Sequence, residues 1–315
     1  MVQSDCGEVS GRLGASVAAV VVNYNAADHL ERCLSTLEIE GIKTAVVVDN
    51  GSTDGSRDVV ARSSAHWVQT GANLGYGRAA NLGAGTPAAE SEPMLLIANP
   101  DVEVCPGAVA GLVAALESDS RLGIVGPRIL NPDGSVYPSV RTFPNLVDAI
   151  GHGLLGMVMP RNRFTRRYRL LDADHDLPAR VDWVSGACFL IRRDVWDLLG
   201  GFDPSYFMYM EDVDLCWRAR RAGWEVAYEP CAEVVHVQGV SADRHPYRML
   251  AAHHRSMWRF AARTTAGPKR AALPLVAVGL AARLIAAAAW HRFAPAGASR
   301  MAEPATGAHR SRPLP

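Results

Sequence analysis

Six cysteines, Cys6, Cys33, Cys105, Cys188, Cys216 and Cys231, are scattered through the 315 residues without a CxxC pair or a zinc-ligand spacing. A zinc ribbon and a dithiol redox motif are thereby excluded, and since most of the six sit in apolar segments they are expected to be reduced core residues. No charged n-region and cleavage site precede the first apolar run, Val17 to Val22, which has only the length of a strand. A secretory signal is therefore not expected, and the folded part is expected to be cytoplasmic. Glycine is missing from VNYNAADHL, the stretch where a dinucleotide-binding fingerprint would follow the first strand. The string GYGRAA, Gly75 to Ala80, mimics that fingerprint further along, but in the wrong place, so a nicotinamide-dependent enzyme is disfavoured. No internal repeat is present. Acidic residues nearly vanish after Asp243, where Glu303 stands alone against 12 basic residues. Such a basic tail points to anionic lipid or another polyanion.

What is present is a chain that is 49% hydrophobic, enough for a substantial core, with 32 basic and 32 acidic residues. Residues 1 to 150 hold 9 basic and 17 acidic residues, and residues 151 to 315 hold 23 and 15. SVAAVVVNYN reads as a buried strand, ADHLERCLSTLEIEG as a helix closed by Gly41, and TAVVVDNGSTDGS as a strand with a polar turn. Helix, the short strand HWVQT, a Gly/Asn-rich loop, another helix and the strand PMLLIANPDVEV follow. This alternation predicts an α/β fold with a mostly parallel central sheet and helices on both faces. Ligands bind beyond the carboxyl ends of such strands, where Asn23, Asp49 and Asn99 to Asp101 fall. From Gly126 to Arg180 the chain is loop-rich, with five arginines between Arg161 and Arg169, and is expected to be an insertion or crossover.

The richest segment is GGFDPSYFMYMEDVDLCWRARRAGW, Gly200 to Trp224. Gly200, Gly201 and Pro204 make an aromatic loop, and a helix then starts at Glu211, Asp212 and Asp214, with Asp214 and Arg218 spaced for an i, i+4 ion pair. Three acids there serve either as a catalytic base with its neighbours or simply as partners of the helix dipole. In DNGSTDGS, Asp49 stands at a strand end, able to present a carboxylate to a base or ribose, or to cap the following helix. GANLGYGRAANLG offers small residues that let backbone N–H groups approach a diphosphate. NPDVEV sets Asn99 and Asp101 where their oxygens suit a hard divalent cation, although Asn-Pro-Asp is also good turn chemistry. His236, near the end of an apolar strand, gains weight only beside these groups.

VVNYN, DNGSTD, GANLGYGRAAN, NPDVEV, WVSGACFLIRR, the GGFD loop with MEDVDLCWR, and VVHVQGVS, in this order and spacing, resemble family 2 glycosyltransferases of the GT-A fold over residues 17 to about 260. Within that family the chain is similar to bacterial rhamnosyltransferases of the mycobacterial type. The resemblance implies inverting transfer of L-rhamnose from dTDP-L-rhamnose to N-acetylglucosamine on a polyprenyl diphosphate, in cell-wall linker assembly, with no nucleic-acid partner. It implies that Asp49 contacts the nucleotide base, with Asn23, Asn25, Asn73, Gly75, Asn81 and Asn99 completing the donor site. NPD stands in for the family's metal-binding DxD; Asn99 replaces the first aspartate, so Asp101 is the chief carboxylate ligand of Mg²⁺ or Mn²⁺ and His236 a distal metal or diphosphate contact. Asp212 is implied as the base, Trp183 and the segment around Gly186 as acceptor wall, and Glu211 and Asp214 as residues that orient base or acceptor. Alternatives are another nucleotide sugar on the same scaffold, or a noncatalytic nucleotide-sugar or membrane-binding module.

The division expected is a leader (1–16), a catalytic domain (17–260, with a nucleotide-sugar half to 125 and an acceptor half from 126), a basic and apolar helical segment (261–293) and a disordered tail (294–315). Nine of the twenty residues from Ala271 to Trp290 are alanine and Arg283 lies inside the run. A buried arginine costs roughly 2.5 to 3.5 kcal/mol on insertion scales. The run is about long enough to span a membrane at ~20 residues, but a helix lying in the cytoplasmic membrane interface is expected rather than a spanning one, with Arg259, Arg263, Lys269, Arg270 and Arg292 meeting anionic headgroups. A helix packed on the catalytic domain is the alternative.

Overall fold

The computed structural model describes residues 17–143, 162, 166, 174–237 and 246–293. The expected leader and tail, Cys6, and all but Arg166 of the five clustered arginines lie outside the described residues.

Strand β1 (Val17–Asn23) is buried along its whole length. Its alternate side chains enter two cores, as the period of two along a strand requires. Val17, Ala19 and Val21 join helices α1 (Ala27–Ile39) and α5 (Ala108–Ser118) on one face. Ala18, Val20 and Val22 join α3 (Tyr76–Ala84), α6 (Arg193–Leu199) and α7 (Glu211–Arg221) on the other. The short helices α2 (Ser56–Ala61) and α4 (Pro87–Glu90) complete the two layers.

Next to β1 lie β2 (Thr44–Asp49) and β4 (Met94–Ala98), both parallel to it, and β3 (His66–Gln69) pairs parallel with β2. The full order is β3-β2-β1-β4-β11-β6-β12-β5, where β5 is Val102–Val104, β6 Leu122–Leu130, β11 Cys188–Arg192 and β12 Glu225–His236. β6 and β12 are parallel to each other, while β11 runs antiparallel between β4 and β6, and β5 antiparallel to β12. The mostly parallel sheet holds, and one sheet runs through both expected halves. Neither reversal is legible in the sequence, because a strand buried on both faces reads the same in either direction. At the margins, β7 (Val136–Tyr137) pairs β6 and β9 (Ala179–Val181) pairs β12, while β8 (Val140–Arg141) and β10 (Trp183–Val184) form a separate antiparallel ribbon.

Two long helices end the described chain, α8 (Pro246–Thr264) and α9 (Leu273–Phe293), joined by a 3-10 turn at Gly267–Ala272. α8 is docked: Phe260 enters the second core, Ser256 Oγ donates to Met208 O at 3.0 Å, and Arg263 pairs with Asp203 and, at 3.4 Å, with Asp214. Arg263, expected at lipid headgroups, is therefore turned inward by two carboxylates. α9 packs on α8 alone among the larger elements, and the stretch Gly267–Ala289, of hydropathy 2.0, has none of its apolar window buried. Leu275, Val278 and Ile285 are 63%, 65% and 70% exposed. α9 is thus held to the catalytic domain through α8 while its apolar side chains stay exposed.

Burial pushes the Cys188 and Cys216 thiols up to about 12 and Cys33 higher still, as inert core residues. Cys231 departs from the expectation of core cysteines: its side chain is exposed. It falls in the register shift of β12 between Glu229 and Glu233, which turns it out of the core.

Candidate active site

A cavity of about 520 Å³ opens beyond the carboxyl ends of β1, β2 and β4. Pro100 stops β4, and the chain turns straight into β5, whose Val102 is paired in register with His236 of β12. That pairing, together with Val237 N–H donating to Asp101 O at 3.1 Å, lays the NPD turn against the histidine. His236 Nε2 lies 3.1 Å from Asp101 Oδ1 and 3.3 Å from the Asn99 amide nitrogen. Asp101 is buried, and His236 Nδ1 has no hydrogen-bond partner among the described residues. A carboxylate, an imidazole and an amide thus converge, and rotation of the amide presents its oxygen instead of its nitrogen. No cluster of three His, Cys, Asp or Glu residues suited to a metal occurs among the described residues. If these groups held a metal, one carboxylate, one imidazole and one amide would leave most of its coordination sphere to water and phosphate, as magnesium-type ions prefer, and imidazole also suits manganese.

Across the cavity, α7 begins. Tyr209 and Met210 precede it with φ of 66° and 68°, left-handed conformations that cost non-glycine residues of order 1–3 kcal/mol each and cluster at functional sites. The turn aims Asp212 at the cavity. Both its oxygens accept backbone N–H groups, Oδ2 from Gly186 and Oδ1 from Val213, each at 2.8 Å. A carboxylate oxygen has capacity left for one more proton donor after such a bond. Gly186 is itself held by Tyr76, whose hydroxyl donates to Gly186 O at 2.7 Å. A Cβ on Gly186 would stand 3.1 Å from Asp212 Cβ, a contact tight enough that Asp212 would have to give by a few tenths of an ångström.

The three acids of α7 have separate environments. Asp214 is fully buried, turned from the cavity to Arg218 at 2.7 Å and Arg263. Glu211 lines the cavity floor beneath α3, and burial, with the Asp212 charge second, pushes its carboxyl up to about 8. Burial also raises Asp212, opposed by the Gly186 and Val213 N–H groups and by Arg141. Glu211, whose Oε2 has no hydrogen-bond partner among the described residues, holds a proton more readily than Asp212, both of whose oxygens accept backbone N–H groups.

This assignment has a thermodynamic consequence. Between its ordinary 4.5 and about 8, Glu211 binds a proton in the folded state that the unfolded chain has lost. Stability therefore falls as pH rises through that window, by up to about 1.4 kcal/mol per pH unit, and levels off above it. Glu211→Gln should match the parent in melting temperature near pH 4.5 and exceed it increasingly toward pH 8. Melting curves that stay parallel across the window would place the proton elsewhere.

The donor-side residues divide. Asn73 and Asn99 line the cavity, together with Tyr24 and Asn50, which the sequence reading did not single out. Asn50 organises the 73–75 loop: its Oδ1 accepts from Leu74 N–H at 2.8 Å and its amide donates to Asn73 Oδ1 and Gly75 O. Asn23, Asn25 and Asp49 lie below the cavity wall and pin the DNGST turn. Asp49 accepts from Asn23 at 3.1 Å and Ser52 N–H at 3.0 Å, and Asn25 from Thr53 N–H at 2.8 Å. Gly75, at φ +91°, allows Tyr76 N–H to donate to Phe207 O at 3.0 Å; a Cβ there would lie 2.3 Å from that oxygen. Asn81 is remote from the cavity and bridges both backbone groups of Phe202, at 2.8 and 2.9 Å, fixing the GGFD loop. On the acceptor side Trp183, Gly186 and Glu211 line the cavity and Asp214 does not. Arg141, Arg248, Met249 and His253 line it as well, and nothing in the sequence pattern marked them.

A Rossmann-like nucleotide half, an Asn-Pro-Asp turn against a histidine and a buffered aspartate across one cavity define a nucleotide-sugar transferase of GT-A type, and the chain belongs to the family "Glycosyltransferase like family 2", whose pattern matches residues 15–262. It is a glycosyltransferase. Among curated proteins it is 42% identical over 268 residues to N-acetylglucosaminyl-diphospho-decaprenol L-rhamnosyltransferase of Mycobacterium tuberculosis, covering 81% of this chain and 86% of that protein. Solved structures share its fold: S. aureus TarS 1-349 in complex with UDP, with a TM-score of 0.52 and 13% identity, covering 86% of this chain and 72% of that one. Glucosyl-3-phosphoglycerate synthase from Mycobacterium tuberculosis in complex with Mg²⁺ and UDP has a TM-score of 0.51 and 16% identity, covering 79% of each chain.

Proposed function

We propose that the protein is an inverting rhamnosyltransferase that moves L-rhamnose from dTDP-L-rhamnose to N-acetylglucosamine carried on a polyprenyl diphosphate, at the cytoplasmic face of the membrane, in cell-wall linker assembly. The observation that carries the reaction is Asp212, a carboxylate fixed by two backbone N–H groups and aimed into the cavity that holds the NPD turn. The substrates follow from the 42% identical relative, whose name specifies that acceptor lipid and that sugar.

In this reading Asp212 accepts the proton of the acceptor hydroxyl as that oxygen attacks the anomeric carbon from the face opposite the leaving diphosphate. Inversion of a β-L-rhamnosyl donor gives an α-L-rhamnosyl product, and no covalent intermediate forms. A raised pKa brings the base closer to the working pH, where general-base catalysis is most effective. Asp101 and His236, with the Asn99 amide, would hold Mg²⁺ or Mn²⁺, and such an ion supplies countercharge to the departing diphosphate. Tyr24, Asn50 and Asn73 form the wall against which the nucleotide is placed. The exposed apolar α9, preceded by Lys269 and Arg270, is the element that meets the membrane and keeps the cavity where a polyprenyl acceptor resides.

One assay tests the reading: release of nucleoside diphosphate from a panel of nucleotide sugars, with and without a short-chain polyprenyl-diphosphate N-acetylglucosamine. Release should require dTDP-L-rhamnose and acceptor together, and the full-length protein should sediment with vesicles of anionic lipid. Turnover of a glucosyl, galactosyl or galactofuranosyl donor in its place would reassign the sugar. Protein that stays in the soluble fraction at low salt would remove α9 from the interface.

A further inference from the structure

A diphospholipid acceptor brings a second pair of phosphates into a cavity whose wall already carries Asp101, Glu211 and Asp212. Among the described residues on that wall, two guanidinium groups are present, Arg141 of β8 and Arg248 in the first turn of α8. Each is braced by an aromatic face: Arg141 Cζ lies 5.3 Å from the centre of the Trp183 ring, its partner across the β8–β10 ribbon, and Arg248 Cζ lies 5.2 Å from that of Phe207. A guanidinium stacked on a ring is held in a fixed plane from which it can donate to a phosphate, and Arg141 is further held by Nε donating to Pro138 O at 3.4 Å. Both belong to the base side of the cavity, on the ribbon and on α8, and neither comes from the strands that carry the NPD turn.

Their electrostatic reach orders the wall. Arg141 acts on Asp212, favouring its ionised form, and also on His253 of α8, whose pKa is lowered to about 3 by burial first and then by Arg283, His254 and Arg141. His253 is accordingly neutral and stacks 5.0 Å from Tyr209, so the positive charge that lines the cavity here is carried by Arg141 and Arg248, with Arg283 of α9 behind His253. From Asp212 the wall passes to Arg141, then to His253 and Arg248 on α8, and α8 leads on to the exposed apolar α9. A sugar at the base, its diphosphate beside the arginines and its hydrocarbon chain toward α9 would meet matching chemistry at each step.

We propose that Arg141 and Arg248 form a binding site for the diphosphate of the acceptor lipid, distinct from the Asp101–His236 site that serves the donor diphosphate. The proposal rests on the reading that the acceptor is a diphospholipid.

The test measures equilibrium binding of farnesyl diphosphate, with farnesol as the neutral control, in excess chelator so that a cation-dependent site is silent. Wild-type protein should bind the diphosphate and not the alcohol. Arg141→Ala/Arg248→Ala should weaken binding by roughly tenfold or more, since charge-assisted hydrogen bonds to phosphate are stronger than neutral ones. Arg248→Lys in the otherwise native chain should retain part of the affinity, which separates loss of charge from loss of fold. In turnover, the double variant should raise the acceptor KM more than the donor KM. Unchanged farnesyl diphosphate binding in the double variant, binding that appears only with added divalent cation, or a defect confined to the donor KM would each overturn the proposal. A wrong sugar or acceptor assignment gives a different signature: wild-type protein transfers no rhamnose, while the arginine-dependent binding of farnesyl diphosphate persists.

Discussion

Asp212→Asn should lower the rate of transfer by roughly 10² to 10⁴ while leaving the donor KM nearly unchanged, the loss associated with a positioned general base. The structure refines what that variant does. Each carboxylate oxygen now accepts one backbone N–H, from Gly186 and Val213. An amide keeps one acceptor and turns its NH₂ toward the other donor, so one of the two bonds is lost at about 1 kcal/mol. Against this, a neutral side chain relieves the burial that raises the carboxyl pKa. Folding stability should therefore change little while turnover collapses, and measuring both separates chemistry from misfolding. Near-normal turnover would move the base to Glu211, whose carboxyl is protonated at neutral pH and would impose a requirement for alkaline conditions.

Asp101→Ala is the second large effect. Removing the one carboxylate of the NPD turn should cost at least about tenfold in kcat/KM, expressed mainly in the donor KM and in the concentration of Mg²⁺ or Mn²⁺ needed for half-maximal rate, because second- and first-sphere losses at metal sites are commonly 10- to 100-fold. His236→Ala should give a milder defect of the same kind, since imidazole is the weaker partner for a hard cation. Excess chelator should stop the wild-type reaction, and full activity in chelator would sink the metal assignment. The readout includes the cation titration, which a merely structural aspartate would not shift.

How far these assignments could be read from the chain depends on whether each contact is local. The helix of α7, its start at Glu211 and the Asp214–Arg218 pair are properties of neighbouring residues, and the spacing shows them directly. The strand ends carrying Asn23, Asp49 and the NPD turn follow from the alternation of apolar runs with helices. What the sequence does not carry is direction within a fully buried sheet, hence the antiparallel entry of β11 and β5. Nor does it say which of three adjacent acids turns inward: Asp214 is committed to Arg263, a residue 49 positions away whose pairing depends on how α8 docks. The same distance hides Asn81, which reads as part of a glycine-rich donor loop and instead holds Phe202. Arg141, Arg248 and His253 have no motif around them at all; only the closing of the cavity by α8 and the β8–β10 ribbon brings them to the base.

The chain of contacts from Tyr76 through Gly186 to Asp212 bears on how such a scaffold can diversify. Three segments far apart in sequence meet there, each by a backbone or hydroxyl bond under 3 Å, and a side chain on the middle one would press on Asp212. A substitution at any one of them is expected to shift the Asp212 carboxylate. Changes of acceptor preference are consequently expected at Arg248 and Met249 of α8, which line the same side of the cavity but take no part in this chain of contacts. Inheritance of reaction and inheritance of specificity are thus carried by different residues of one wall.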